Sequence, residues 1–473
     1  CIYGKISEMG PKMKTWNDEV LNNYGFGKYS MPAPKDLAYW QCPENHPFQK
    51  IAFNRWMSDK YADTRKQIYS ALKQAAPNVK YVCSNFWFMR GFHPFDYSLF
   101  AKYTDWMSGD PYASPAELRE GRGIYNHGFG TKLLKDLSGK PTITIVQAYH
   151  DAGYTPTPGD LREWVSQALK NGASRIEYFE QVERYNNPAL YQEMFRLSKI
   201  FTSMNKVNVP QDADCAIFCS FDSEAALDAN GDQIYTAYAI LGEKVGSWFD
   251  FICDRQLERN ELDLSKYKIV YLPLAKYIIP AVVDKLAGYV ENGGMLVVGD
   301  PEAFSFNRDG SSLASYREKL CGVKFTGETF KASEIKIISK SGGKGAREGV
   351  KSQNSIWVKI LHLLRGDSAV CASLSKLDNN TFPILKENSI YDKIHLAHSV
   401  AIEGATVIAL FPNGEPALLE NHFGRGKVYY FTANPFAPDV VLIDSKISEV
   451  FKAFQEEAKV KTERPVWQFL LPE

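Results

Sequence analysis

Lys140-Pro141-Thr142-Ile143-Thr144-Ile145-Val146-Gln147-Ala148-Tyr149-His150 is an apolar run that opens after a proline and closes in polar and aromatic side chains. Its β-branched centre, Thr142–Gln147, predicts a short buried strand. The same grammar recurs on either side, at Met13–Asn17, Lys80–Asn85, Trp106–Ser108 and Arg175–Phe179. Each run ends in chemistry: Trp16-Asn17-Asp18-Glu19, Asn85-Phe86-Trp87, Asp110-Pro111-Tyr112, Gln147-Ala148-Tyr149-His150, and Phe179-Glu180-Gln181. Helical patterns lie between them. Phe48–Lys60 places Phe48, Ile51, Ala52, Trp56 and Met57 near helical spacing, and Asp63–Gln74 follows. Leu161–Asn171 opens after Pro158-Gly159-Asp160, with Asp160 as the expected N-cap.

Strands separated by helices predict a parallel sheet. No Gly-rich dinucleotide fingerprint follows any of these strands. The fold class expected is therefore α/β: the C-terminal part of a TIM (β/α)8 barrel, whose active sites sit at the C-terminal ends of the strands.

A second unit is expected beyond a linker near Asn205–Pro210. Strands are predicted at Asp214–Ser220, Phe249–Cys253, Lys268–Leu274 and Met295–Gly299, with helices at Gln233–Gly242 and Val282–Asn292, the latter closed by Gly293-Gly294. This order is flavodoxin-like. Asn413-Gly414 between Thr406–Phe411 and Ala417–Asn421 predicts a hairpin, followed by a strand at Lys427–Thr432 and a helix at Lys446–Lys459. Val466–Leu471 reads as the first strand of a further β domain. The expected division is 1–204 partial barrel, 205–465 α/β domain with a β-rich insertion, and 466–473 the start of that β domain.

Charge narrows the partners. The 55 basic residues equal the 55 acidic ones, which offers no electrostatic footprint for nucleic acid or an anionic membrane. No apolar run is long enough for a membrane span. The eight cysteines form no C-x-x-C pair, so no zinc or redox motif is expected. Cys83, Cys215 and Cys253 lie in apolar strands and read as buried free thiols, which favours a reducing, cytoplasmic compartment. No signal peptide is visible after Cys1, and the chain is expected to begin inside a domain.

The rim residues suit glycosidic bond hydrolysis, which needs two carboxyl groups across the scissile bond. Asp18 and Glu19 form the densest acidic strand end. The alternative is that they start a helix and hold its free N–H groups. Asp110 and Glu180 are the candidate partner acids. Alternation puts Ile176, Tyr178 and Glu180 on one side of their strand and Glu177 on the other; Glu180 is preferred for lying nearer the rim. Asn17, Asn85, Gln147 and His150 are candidate contacts for sugar hydroxyls. Trp16, Trp87, Tyr112, Tyr149 and Tyr178 are candidate stacking surfaces. Core packing is the alternative for each aromatic.

These residues resemble glycoside hydrolase family 42, the β-galactosidases, and uncharacterised relatives. The similarity rests on Asn17-Asp18-Glu19, on Phe53-Asn54-Arg55-Trp56-Met57 with Tyr61, on Ser108–Tyr112, on Gly139-Lys140-Pro141, on Pro158–Arg162, and on Tyr267–Gly299 with Phe411–Tyr430. The resemblance implies a barrel, then a glutamine-amidotransferase-like trimerisation domain, then a small β domain. It implies that Glu19 is the acid/base at the end of barrel strand four, and that the chain starts near that strand. The family's nucleophile is a Glu after the strand led by Lys-Pro; Val146-Gln147 stands there in this sequence. The family's metal-binding cysteines are absent, with Cys42 alone, so no metal and no cofactor is expected. The partners implied are an oligo- or polysaccharide and copies of the same chain, joined through the second domain. Three readings remain: a hydrolase using Glu19 with Glu180 or Asp110, an α-fucosidase-like hydrolase with Asp18 as nucleophile, and a barrel that binds glycans without cleaving them.

Overall fold

A computed structural model describes residues 47–85, 96–113, 118, 123–150, 154–179, 187–204, 207, 209–227, 229, 231–331, 334–337, 381–383, 396–437 and 447–472. The expected strand Met13–Asn17 and the rim residues Trp16, Asn17, Asp18, Glu19, Trp87 and Glu180 lie outside them.

The first part alternates as expected: α1 Pro47–Ala75, β1 Val82–Asn85, α2 Tyr97–Phe100, β2 Trp106–Gly109, α3 Asn126–Ser138, β3 Thr142–Gln147, α4 Pro158–Lys170, β4 Arg175–Phe179 and α5 Pro188–Ser203. The helical pattern expected at Phe48–Lys60 and continuing through Asp63–Gln74 forms one helix. No Gly or Pro interrupts 61–63, so nothing stops the helical period there. Asp160 is the third helical residue of α4, and Thr157 is the cap. Thr157 Oγ1 accepts from the Asp160 amide (3.2 Å), and Asp160 Oδ2 accepts from the Thr157 amide (2.7 Å). That reciprocal box with Pro158 at the first position fixes the helix start.

β1 to β4 form a parallel sheet in sequence order. This is the arrangement of a TIM-barrel-like α/β fold, with helices on one face.

The second part contains β5 Cys215–Cys219, α6 Phe221–Leu227, α7 Asp232–Tyr238, β6 Phe249–Cys253, α8 Asp254–Glu258, β7 Ile269–Leu272, α9 Pro280–Glu291, β8 Met295–Val298, α10 Ala314–Cys321, β9 Val323–Phe330, β10 Glu334–Ile337, β11 Thr381–Pro383, β12 Ala397–Ile402, β13 Thr406–Leu410, β14 Pro416–Phe423, β15 Gly426–Phe431, α11 Ile447–Glu457 and α12 Arg464–Trp467. One sheet runs β11-β10-β13-β14-β15-β8-β7-β5-β6. Its β15, β8, β7, β5 and β6 are parallel, and the expected β13–β14 hairpin is antiparallel. The central strands β5, β7 and β8 are apolar throughout because both faces are covered. Ile217, Tyr271, Val297 and Tyr429 join one core; Ala216, Val270, Leu296 and Val428 join another on the opposite face. Cys83, Cys215 and Cys253 are buried free thiols.

The strand expected at Val466–Leu471 is not formed. Arg464 opens the helical turn α12 with Pro465 second, and Trp467 is buried against Tyr238 and Phe249, with ring centroids 5.6 and 5.8 Å away. Gly242 makes room for it: a Cβ there would meet the indole at 2.4 Å.

The two sheets share a layer. Phe129 of α3 meets Tyr235, Tyr238 and Phe251 edge-on at 5.4–5.8 Å, while Leu133 of α3 and Met107 of β2 lie in the same core. A buried ion network ties α1 to the second part. Arg55 donates to Asp222 through Nε (2.5 Å) and Nη2 (2.8 Å), and to Glu258 through Nη1 (2.8 Å). Asp96 accepts from Arg255 and Arg259.

Candidate active site

The site is built from the alternation of β2, β3 and β4. Met107 packs into the helix-side core. Gly109 and Pro111 line a narrow gap against Gly130, Thr131 and Leu134 of α3. By period two, Ser108, Asp110 and Tyr112 face the opposite, inner side. On β3, the Thr144 hydroxyl lies 2.7 Å from that of Thr131, and Val146 packs on Leu161, Trp164 and Val165 of α4. Ile145 and Gln147 therefore face inward. On β4, Ile176 and Tyr178 join the helix-side cluster, leaving Arg175, Glu177 and Phe179 exposed on the inner face.

The register stacks these residues in rows. Ile145 pairs with Glu177, and Gln147 with Phe179. Above Gln147, three rings converge: Tyr112–Tyr149 at 5.5 Å, Tyr149–Phe179 at 5.5 Å and Tyr112–Phe179 at 6.2 Å.

The polar groups beneath the rings are buried and unspent. Asp110 Oδ1, the Tyr112 hydroxyl and both amide atoms of Gln147 have no hydrogen-bond partner among the described residues. Buried polar atoms are normally paired, so an unpaired cluster is where a ligand's hydroxyls would bind. Burial pushes the Asp110 carboxyl up from its ordinary 3.8 to about 7. Burial, then Asp110 and Tyr149, raise the Tyr112 phenol. The rim thus offers a proton-bearing carboxyl, an amide and an aromatic wall, which is chemistry suited to a polyol.

Four of the expected site residues, Asp110, Tyr112, Gln147 and Tyr149, come together at this rim. Asn85 ends β1. Tyr178 does not join them. It lies on the helix side, hydrogen-bonded to Ser198 of α5, and burial pushes its phenol up to about 12. His150 is exposed and its Nδ1 lies 2.7 Å from the Thr155 hydroxyl. Phe179 and Glu177, not singled out for the site from sequence, are on the inner face. The usable signal was the pairing of Ile176 with Tyr178, the residues of β4 that fit an apolar helix layer. A further buried group, His127, stacks on Trp164 at 4.8 Å within the helix layer, and burial holds it neutral, at about 3.

Comparison with known proteins follows the same division. The sequence model of the glycoside hydrolase family 42 described as "Beta-galactosidase" matches residues 14–209, and that of the "Beta-galactosidase trimerisation domain" matches 213–309. A β-galactosidase of Planococcus sp. (strain L4) is 23% identical over 93% of this chain and 63% of its own length. One from Geobacillus kaustophilus is 26% identical over 54% of this chain and 40% of its own. Among solved structures, the β-galactosidase of Bacillus circulans sp. alkalophilus aligns with a TM-score of 0.64 at 18% identity, covering 96% of this chain and 64% of that one. The β-galactosidase of the haloarchaeon Halorubrum lacusprofundi aligns with a TM-score of 0.67 at 15% identity, covering 95% and 65%. The chain spans less than two thirds of the length of these relatives. The two models match in the order barrel segment then trimerisation domain, so the chain is similar along much of its length to the glycoside hydrolase family 42 β-galactosidases.

Proposed function

We propose that this chain is part of a β-galactosidase-like glycoside hydrolase acting on an oligo- or polysaccharide. The observation that carries the proposal is the convergence of Asp110, Gln147 and the rings of Tyr112, Tyr149 and Phe179 at the C-terminal rim of a parallel sheet. Hydrolysis needs a carboxyl that still holds its proton near neutral pH. The family resemblance gives that role to Glu19. Among the described residues, Asp110 has the environment for it. No cofactor is required by this chemistry.

The proposed organisation is a barrel segment over 1–204 and an α/β domain of flavodoxin-like or glutamine-amidotransferase-like topology from 205 onward, against which the helical turn at Arg464–Trp467 packs. The second domain would join copies of the chain into a homo-oligomer, which its match to a trimerisation domain supports.

The test is turnover of a panel of aryl glycosides, including 4-nitrophenyl β-galactoside, by the full-length protein. Glu19→Gln is expected to lower kcat by about 10²–10⁴-fold, the usual worth of acid–base catalysis. Full activity in Glu19→Gln removes Glu19 from the chemistry. Loss of the covalent intermediate in Asp18→Asn would favour the α-fucosidase-like alternative. One observation favours a second reading, glycan binding without cleavage: Gln147, an amide, faces inward where the resemblance expects a carboxylate. That reading predicts no turnover of any aryl glycoside, with sugar binding weakened in Gln147→Ala.

A further inference from the structure

The turn that carries Asp110 and Tyr112 is anchored from outside the barrel. We propose that Asn126 is a positioning residue for the sugar site, and that the second domain holds it in place through the Tyr235 hydroxyl. The inference rests on the saccharide site proposed above.

Helix α3 starts without a cap of its own. Its N-cap is Tyr125, whose side chain makes no capping bond, and its first turn holds no acid. The first four N–H groups of a helix need partners from elsewhere. The Tyr125 amide donates to the Tyr235 hydroxyl of α7 (3.0 Å), the Gly128 amide to Gln167 Oε1 of α4 (3.3 Å), and the Asn126 amide to the Gly123 carbonyl (3.1 Å). Gln167 Nε2 donates back to the Ile124 carbonyl at 2.8 Å, so one side chain braces both sides of the helix start. Gln167 and Tyr235 are both buried, which keeps water from competing for these bonds.

What that start holds is the rim. Asn126 is the first helical residue and is buried; its Nδ2 donates to the Tyr112 carbonyl at 3.2 Å. The Tyr112 amide donates to the Asp110 carbonyl at 2.8 Å. That bond closes a three-residue turn through Pro111, whose φ is fixed by its ring. A bond on the Tyr112 peptide therefore sets the Tyr112 ring and the Asp110 carboxyl together. The ring is one wall of the cluster with Tyr149 and Phe179. The line of contacts runs from Tyr235 through Tyr125 and Asn126 to Tyr112. Tyr235 lies within the segment matched by the trimerisation-domain model. The domain proposed to join copies of the chain thus also shapes the sugar site.

Two substitutions break this line at its two ends. Tyr235→Phe removes the hydroxyl and keeps the ring, which meets Phe129 at 5.4 Å. Asn126→Ala removes the donor to Tyr112. A sugar wall that drifts weakens the ground state and the transition state alike, so KM rises while kcat holds. Partial unfolding does the reverse: it lowers the active fraction, and with it the apparent kcat, at unchanged KM.

The experiment uses the full-length protein and 4-nitrophenyl β-galactoside. Each variant is expected to raise KM by about 3–10-fold, the worth of one neutral hydrogen bond, with kcat little changed. The double variant is expected to match the worse single variant, because both break one line of contacts. An unchanged KM in Asn126→Ala, or a fall in kcat without a rise in KM, overturns the positioning role. An unchanged KM in Tyr235→Phe, or a double variant whose KM rises by the product of the two single effects, overturns the second domain's part in it. If the unsubstituted protein turns over no aryl glycoside, the hydrolase reading fails, and the variants are compared by calorimetric binding of the same glycoside. Weakening by about 3–10-fold then supports the positioning role, and unchanged binding overturns it. Neither turnover nor binding of any glycoside by the unsubstituted protein overturns both.

Discussion

Replacing Arg55 by Met tests whether the buried ion network holds the barrel helix α1 on the second sheet. Arg55 is 1% exposed and spends three N–H groups on two carboxylates, Asp222 and Glu258. Asp222 is also 1% exposed, and the fully buried Asp254 accepts from its backbone amide at 3.3 Å. Methionine fills much of the space but leaves the buried acids without their cation. Removing one member of a buried pair costs about 3–5 kcal/mol, mostly because a charge is stranded. With a urea slope of about 3 kcal/mol/M, the unfolding midpoint should fall by roughly 1–1.7 M. The double variant Arg55→Met with Asp222→Leu should recover most of that loss, since an apolar pair of similar volume tolerates burial. Acidity supplies a second readout. Burial, then Asp222, push the Asp254 carboxyl up from 3.8 to about 7, and Arg55 opposes them. The folded protein therefore keeps a proton that the unfolded chain has released between about pH 4 and 7. Stability falls as pH rises across that window, and more steeply once Arg55 is gone. A loss below about 1 kcal/mol in Arg55→Met, or a double variant no more stable than the single one, would refute the reasoning.

Two further outcomes are expected. Burial alone would raise the Asp96 carboxyl, but Arg259 and Arg255 overcome it and hold it at about 2. The roughly 2 kcal/mol this contributes is present above pH 4 and lost as pH falls toward 2, so Asp96→Asn should flatten the acid limb of a stability–pH curve; an unchanged limb would remove Asp96 from acid unfolding. Gly128→Ala drives a Cβ to 2.3 Å from the Tyr238 hydroxyl and 2.8 Å from Asn171 Nδ2, which are themselves bonded at 2.8 Å. The clash, about 1–3 kcal/mol, should outweigh the helix preference for alanine, and a raised melting temperature would contradict it.

The strands of the barrel segment were legible because each is a short apolar run bounded by turn residues. Thr142–Gln147 and Arg175–Phe179 fall where the pattern puts them. The side of β4 that faces the site was harder. Tyr178 and Phe179 are equally suited to a sugar or to a core, and only packing on α4 and α5 assigns Tyr178 to the helices. Val466–Leu471 has strand composition, yet tertiary packing of Trp467 and the rigid φ of Pro465 make a helical turn there. The network of Arg55, Asp96 and Arg255 joins positions more than a hundred residues apart, beyond any local period. In the site, Asp110, Tyr112, Gln147 and Tyr149 were found because they close strands, while Glu177 was passed over because it lies within one.

Helix α3 has eleven of its 13 residues buried, because one sheet covers it from each side. Neither layer can shed it without exposing Phe129 and Leu133 to water. A cut near residue 204 divides the sequence where the linker composition changes, but it divides the folded molecule through its apolar interior. The two parts should consequently melt together, resist separation by proteases, and be inherited as a pair. Exchanging the barrel of one relative for that of another would succeed only if α3 travels with a matching β6 surface.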